Sequence, residues 1–346
     1  MLFSSIPGHA FLKERLIEMA NARRVGHALL FWGDEGMGAL PLALALAQQM
    51  VCPTAKEGGV ACGKCPPCNK MQKLIHPDLH FAVPVNSVKP SDRNPVTDHY
   101  AAVWKEALLE NPYMSEYQWY DKLGIDNKSG NMSVHEADAI VKKLSFKPFE
   151  GDCKFMIIWL PECMNIQAAN TLLKILEEPS VGTHFFLVSE HPEQLLPTIR
   201  SRCQLIRVNP ISKEEQALRP AIRSEQEEEI EQYARDFITH SVNKNLFLAI
   251  QWAEDVAGFG RERQRQLVLC LLQILRNTYM EHLHADRITT ASPDQIPHLR
   301  SWANKLSTTF FSIATDALNG ALSDIDRNVN SKMTFYTVAL RFNFAT

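Results

Sequence analysis

Apolar residues recur at helical spacing from Phe11 to Ala22, where Leu12, Leu16, Ile17 and Ala20 share one face and predict an amphipathic helix. A short apolar run, His27 to Trp32, stops at Gly33 as a buried strand would. Leu40 to Val51 is apolar nearly all round apart from Gln48 and Gln49, which suits a helix packed inside a domain. From Pro84 to about Asn131 hydrophobicity falls and Pro, Asn and Asp accumulate, so this stretch reads as a long loop or surface insertion with one helix over Tyr100 to Leu109. The pattern tightens again with Val134, Ala137, Ile140, Val141 and Leu144 on one helical stripe. Ser133 stands at its N-cap position, with Glu136 placed to complete a capping box.

Three further apolar runs, Phe155 to Leu160, Phe185 to Ser189 and Leu205 to Val208, predict buried strands. A helix capped by Asn165 and halted at Pro179 separates the first two, and a helical turn at Pro197 to Ser201 precedes the last. Strands alternating with helices argue for a parallel sheet covered on both faces. Beyond Pro210 the strands largely vanish. Glu214 to about Ala253 reads as short polar helices, and the region after Gly258 as longer helices rich in Leu, Phe and Ala, with a linker near Asp255 to Gly260. The expected organisation is α/β plus all-α: an α/β domain over 1–209, a small helical domain over 210–255 and a helical C-terminal domain over 256–346.

The 346 residues are 45% hydrophobic and 22% charged, which excludes collagen-like, coiled-coil and disordered classes. With 36 basic and 39 acidic residues the formal charge is -3, so no global positive field would hold nucleic acid unaided. No segment approaches the roughly 20 apolar residues of a membrane helix, and the first residues lack the pattern of a signal peptide. A cytoplasmic chain with no membrane partner is expected.

Candidate chemistry begins after the first strand, at Gly33-Asp34-Glu35-Gly36-Met37-Gly38-Ala39-Leu40. A nucleotide-binding P-loop wraps phosphates with backbone N–H groups at such glycines, then supplies a lysine for the outer phosphates and a hydroxyl for magnesium. Gly33, Gly36 and Gly38 are spaced accordingly, but Ala39 and Leu40 stand where the lysine and hydroxyl belong. At the end of the second predicted strand, where such an ATPase carries its acidic residues, stand Trp159 and Leu160. Glu162 follows two residues too late and reads as a solvated surface acid. Tight triphosphate binding is not expected.

Four of the eight cysteines form C-x9-C-x2-C-x2-C at Cys52, Cys62, Cys65 and Cys68. Two C-x2-C turns gather three thiolates and the longer loop lets the fourth complete a tetrahedron around Zn²⁺; four protein ligands make the metal structural. Cys153, Cys163, Cys203 and Cys270 read as buried thiols. Glu177 and Glu178 fall at a helix C-terminus, where the macrodipole disfavours acids, which hints at a role outside the helix.

Asn170-Thr171-Leu172-Leu173-Lys174-Ile175-Leu176-Glu177-Glu178-Pro179 followed by Ser201-Arg202-Cys203 resembles the signature of bacterial clamp-loader AAA+ subunits. The cysteine knuckle after the P-loop helix, the opening Gly8-His9 and the run from His27 to Gly33 resemble the same family, and Ile325 to Asn330 resembles the end of its C-terminal collar helices. The resemblance is strong to about residue 210. It implies an AAA+ RecA-like α/β domain (1–209) with zinc knuckle (52–68) and insertion (84–131), a helical lid (210–255) and a helical collar (256–346). Ala39, Leu40, Trp159 and Leu160 resemble an ATPase-silent member rather than the gamma/tau type.

Such a member implies a stator without intrinsic activity in a DNA polymerase III holoenzyme whose polymerase lies in another subunit. Its partners would be the gamma/tau and delta clamp-loader subunits, the sliding clamp, and primed DNA through the assembled complex. ATP would be bound only in the neighbouring subunit, Arg202 would reach it as an arginine finger, and Ser189 matches the sensor position. Two rival readings stay open: an active ATPase using Lys174 or Lys154 in place of the missing lysine, and a stand-alone zinc-dependent nucleic-acid module. The insertion departs from the commoner family pattern.

Overall fold

The computed structural model describes every residue except 88–92, 126–129, 213–214, 216–224, 285–294 and 346. The chain divides into two compact units, which meet in sequence between Ile222 and Arg223.

In the first unit, α1 (Ala10–Asn21) precedes β1 (Ala28–Trp32) and α2 (Ala39–Val51). Two short helices, α3 (Pro53–Lys56) and α4 (Pro66–Gln72), carry the cysteines to β2 (Leu79–Ala82). The insertion contributes α5 (Ala101–Glu110) and α6 (Glu116–Leu123). Then come α7 (Val134–Leu144), β3 (Lys154–Trp159), α8 (Ile166–Glu177), β4 (Thr183–Ser189), α9 (Pro197–Arg200) and β5 (Gln204–Arg207). Among the described residues the sheet has five strands in the order β2-β3-β4-β1-β5, and every pairing is parallel.

Period-two alternation gives β1, β3 and β4 two buried faces, whereas β5, expected from the sequence to be buried, is an edge strand that buries only Ile206 and leaves Leu205 exposed. Leu29, Phe31, Phe155, Ile157 and Trp159 turn toward α2 and the insertion, while Leu30, Met156, Ile158 and Leu187 turn toward α7 and α8. The register places Trp32 beside Ser189 and Trp159 beside Val188, so the C-terminal ends of β1, β3 and β4 converge where ligands bind in open parallel sheets. β2 escapes the sequence pattern because four residues, Leu-His-Phe-Ala, are too short to show a period.

The stretch expected to be a surface loop is largely a packed layer. Trp104, Trp119 and Tyr120 are almost completely buried, and Trp104 meets Trp119 edge-on with 5.1 Å between ring centroids. Aromatic rings with polar handles bury large areas while lowering apparent hydrophobicity, and the polar group usually finds a partner, although the buried Trp104 Nε1 has none among the described residues. Trp119 Nε1 donates to Pro84 O at 2.7 Å. Parts of the insertion, 88–92 and 126–129, lie outside the described residues.

The capping box expected on α7 does not form. Ser133 has N-cap backbone geometry, but its buried hydroxyl has no partner among the described residues. Glu136 accepts the Thr97 N–H at 2.6 Å instead, because the insertion supplies a buried donor that outcompetes the local one. The reciprocal box lies on α6, between Ser115 and Gln118.

The second unit is helical where described: α10 (Glu225–Val242), α11 (Leu246–Ala257), α12 (Arg261–His282), α13 (Ile296–Ala303), α14 (Thr308–Asp326) and α15 (Ser331–Ala345). Its core is aromatic. Phe237 of α10 stacks on Trp252 of α11 at 3.9 Å, and Phe342 of α15 packs against both Phe237 and Phe310. The 18-residue α10 is longer than the short helices expected there, and residues 213–214 and 216–224 of that stretch lie outside the described residues.

Candidate functional site

The glycine loop sits between β1 and α2, as a P-loop does. Gly36 and Gly38 have φ of 68° and 94°, a region that favours glycine. Gly33 is held by a different constraint: a Cβ there would stand 2.4 Å from Val208 O. Ala39 and Leu40 turn into the core at 9% and 4% exposure. His9, itself left-handed at φ 56°, shares a 2.8 Å hydrogen bond with Met37 O through Nε2.

The insertion packs against the glycines. Pro112, Tyr113 and Met114 of the insertion line the loop, and a Cβ on Gly38 would touch the Tyr113 ring at 3.3 Å. The space left against the loop, about 20 Å³, has room for about one water.

The strand ends around it carry no metal-binding acid in the expected place. Trp159 is buried and packs on Trp104 at 5.2 Å, and Leu160 is buried in a left-handed turn at φ 54°. Glu162 is not a solvated acid: its Oε1 accepts the N–H groups of Glu190 and His191 at 2.8 and 3.0 Å, tying β3's exit to β4's. Ser189 is completely buried beside the loop, its hydroxyl without a partner among the described residues.

Partly buried Glu190 is pushed up to about 9, first by burial and then by the negative charges of Glu35, Glu162, Glu116 and Asp34. Such a surround repels phosphate. Neither substitute lysine is placed for the task. Lys154 opens β3, at the far end of the strand from Trp159, and its ammonium donates to the carbonyls of Leu144 and Phe146. Lys174 is exposed on α8.

Cys52, Cys62, Cys65 and Cys68 converge at the junction of α2, α3 and α4, with one ligand atom from each lying within 4.8 Å of all the others. Sγ of Cys52 is 3.7 Å from that of Cys62 and 4.0 Å from that of Cys65. Zn–S bonds of about 2.3 Å imply tetrahedral edges of about 3.8 Å, so the donor set fits a four-coordinate soft metal. Burial pushes the Cys68 thiol up to about 12, while backbone N–H groups of Lys64 and Cys65 pull Cys62 down to about 6. Cys203 is buried in the first unit's core and Cys153 and Cys163 are partly buried, as is Cys270 of α12.

Arg202 follows α9 and reaches back to the end of α8. Its Nε donates to Glu177 Oε1 at 2.7 Å, its Nη2 donates to the same oxygen, and its Nη1 donates to Thr198 O at 2.7 Å. The acid that is out of place at the helix terminus has this arginine as its partner.

A family model described as "DNA polymerase III, delta subunit" matches residues 8–212. The chain is 32% identical over 177 residues to the DNA polymerase III subunit delta′ of Pseudomonas aeruginosa, and 31% identical over 194 residues to that of Escherichia coli. The chain belongs to the delta-prime branch of the DNA polymerase III clamp-loader family. These matches cover 51% and 56% of the chain, but only 41% and 45% of the relatives' own length. A gamma subunit-related protein of Thermotoga maritima is similar over 96% of this chain and 99% of its own, with 17% identity and a TM-score of 0.42.

The parallel sheet covered by helices, followed by a remainder that is helical where described, is the α/β plus all-α class expected from the sequence. The sequence pointed to the glycine loop, the cysteines and Arg202, and the structure gives each a definite setting. It did not point to Tyr113, which lies against the loop, to Trp104, which anchors the insertion on Trp159, or to Glu190. The one available signal was the density of aromatics in a stretch otherwise rich in turn residues.

Proposed function

We propose that this chain is an ATPase-silent clamp-loader subunit of DNA polymerase III, acting as a stator beside gamma/tau and delta subunits that place a sliding clamp on primed DNA. The observation that carries the reading is the altered glycine loop. It joins β1 to α2 as a P-loop does, yet Ala39 and Leu40 stand where the lysine and hydroxyl belong, and Tyr113 lies against Gly38. Clamp-loader relatives and the family match support the assembly context.

In this reading the chain hydrolyses nothing itself, and Arg202 stabilises γ-phosphate charge on ATP bound to the neighbouring subunit. The cysteine cluster holds Zn²⁺ as a structural ion that fixes the α2–α4 connection. The chain beyond residue 209 divides in function into lid (210–255) and collar (256–346), and the complex is cytoplasmic; no described helix is long and apolar enough to cross a membrane.

The test is a titration with a fluorescent ATP analogue and magnesium, first on the purified chain and then on its complex with a gamma-type partner. No binding alone, with turnover in the complex that falls on Arg202→Ala, supports the proposal. Tight binding by the chain alone would return it to the active ATPases, and unchanged turnover with Arg202→Ala would remove the finger role.

A further inference from the structure

Glu177 ends α8, next to Glu178, at a helix terminus whose partial negative charge repels both carboxylates. A position where local electrostatics oppose the residue requires a compensating interaction elsewhere, and here that interaction is the guanidinium of Arg202. One carboxylate oxygen takes Nε–H and an Nη2–H side-on, while the Thr198 carbonyl at α9 takes an Nη1–H. Of the five N–H donors of an arginine, three are therefore committed to this chain. One N–H on each Nη nitrogen is left for an incoming anion, and Arg202 retains about a third of its side-chain exposure (31%).

We infer that Glu177 is the positioning residue for Arg202, fixing the plane of the guanidinium so that its remaining N–H pair faces out of the chain. This rests on the reading of Arg202 as a finger and extends it to a residue whose own charge would disfavour phosphate. A free arginine carries considerable rotamer entropy, which a trans contact must overcome each time it forms. Glu177 and Thr198 hold it from two elements, α8 and α9, both anchored on the same face of the sheet through Leu172, Leu176 and Ile199. Glu177 gives up some net positive charge at the site in exchange for orientation, and orientation decides rate where a misplacement of one ångström costs orders of magnitude.

The experiment measures ATP turnover of the full chain assembled with gamma-type and delta-type partners, comparing Glu177→Ala, Glu177→Gln, Arg202→Ala and the double variant. Glu177→Ala is expected to lower kcat about tenfold with KM nearly unchanged. Glu177→Gln, whose amide oxygen still accepts from Nε, should recover most of that loss. The double variant should match Arg202→Ala alone, since Glu177 acts only through the arginine. Unchanged kcat in Glu177→Ala alongside a fall in Arg202→Ala overturns this inference and leaves the finger role standing. A double variant slower than Arg202→Ala also overturns it, by showing a separate task for Glu177. Full activity in Arg202→Ala removes the finger role and the inference with it.

Discussion

Trp159 lies against Trp104 with 5.2 Å between ring centroids, so the position where an ATPase of this architecture carries an acid is the anchor of the insertion. Trp104 also meets Trp119 and Phe81, which makes it the centre of the layer that brings Tyr113 over the glycine loop. Trp104→Ala should destabilise the first unit by about 3–5 kcal/mol, read as a lower denaturant midpoint. The variant should still bind no ATP, because Ala39 and Leu40 supply neither charge nor hydroxyl. Tight nucleotide binding by Trp104→Ala would show that occlusion alone silences the loop.

Four cysteine sulfurs gathered at metal-ligand distances repel one another as thiolates unless a cation sits between them, and binding that cation adds to folding stability. The purified chain should contain about one zinc per molecule by elemental analysis. Cys65→Ser should lose the metal and melt earlier, and a strong chelator should shift the wild type to the same melting temperature. Metal-free wild type of equal stability would contradict the assignment.

Glu190 gives stability a pH dependence whose sign follows from its raised pKa. The folded value of about 9 exceeds the ordinary 4.5, so its contribution is complete below about pH 4.5 and is lost as pH rises toward 9. The facing groups Glu35, Glu162, Glu116 and Asp34 sharpen the loss, since each is an acid. Glu190→Gln should therefore melt with the wild type near pH 4 and about 3 °C or more above it at pH 8. A gap independent of pH would mean that Glu190 is already ionised at neutral pH.

What could be read from the sequence was local. The apolar runs of β1, β3 and β4, the Asn165 cap and the cysteine spacing each declare themselves within a few residues, and the structure contains all of them. What could not be read depended on a distant partner. Glu136 looks like half of a capping box until Thr97 arrives from the insertion, and Glu177 looks misplaced until Arg202 arrives 25 residues later. The insertion reads as loop because Trp104, Trp119 and Tyr120 are spaced among turn residues, and their burial depends on Phe81 and Trp159 of the sheet.

The glycine loop itself offers a test of what now maintains it. In a working P-loop, replacing a glycine harms phosphate binding. Here Ala39 and Leu40 supply neither the charge nor the hydroxyl that phosphate binding needs, so the cost should fall on stability alone. A Cβ on Gly33 would stand 2.4 Å from Val208 O and 3.1 Å from Val208 Cβ, a backbone contact that no rotamer relieves. Gly33→Ala should cost about 3 kcal/mol or more by forcing the exit of β5 away from β1. Gly58→Ala is the matched control: it has φ of 95° but nothing within 4 Å of the added carbon, so only backbone strain of about 1 kcal/mol applies. Paired melts of the two variants separate the effects. Equal destabilisation would indicate that the approach of Gly33 to Val208 relaxes freely, and that the glycine persists for a reason other than packing.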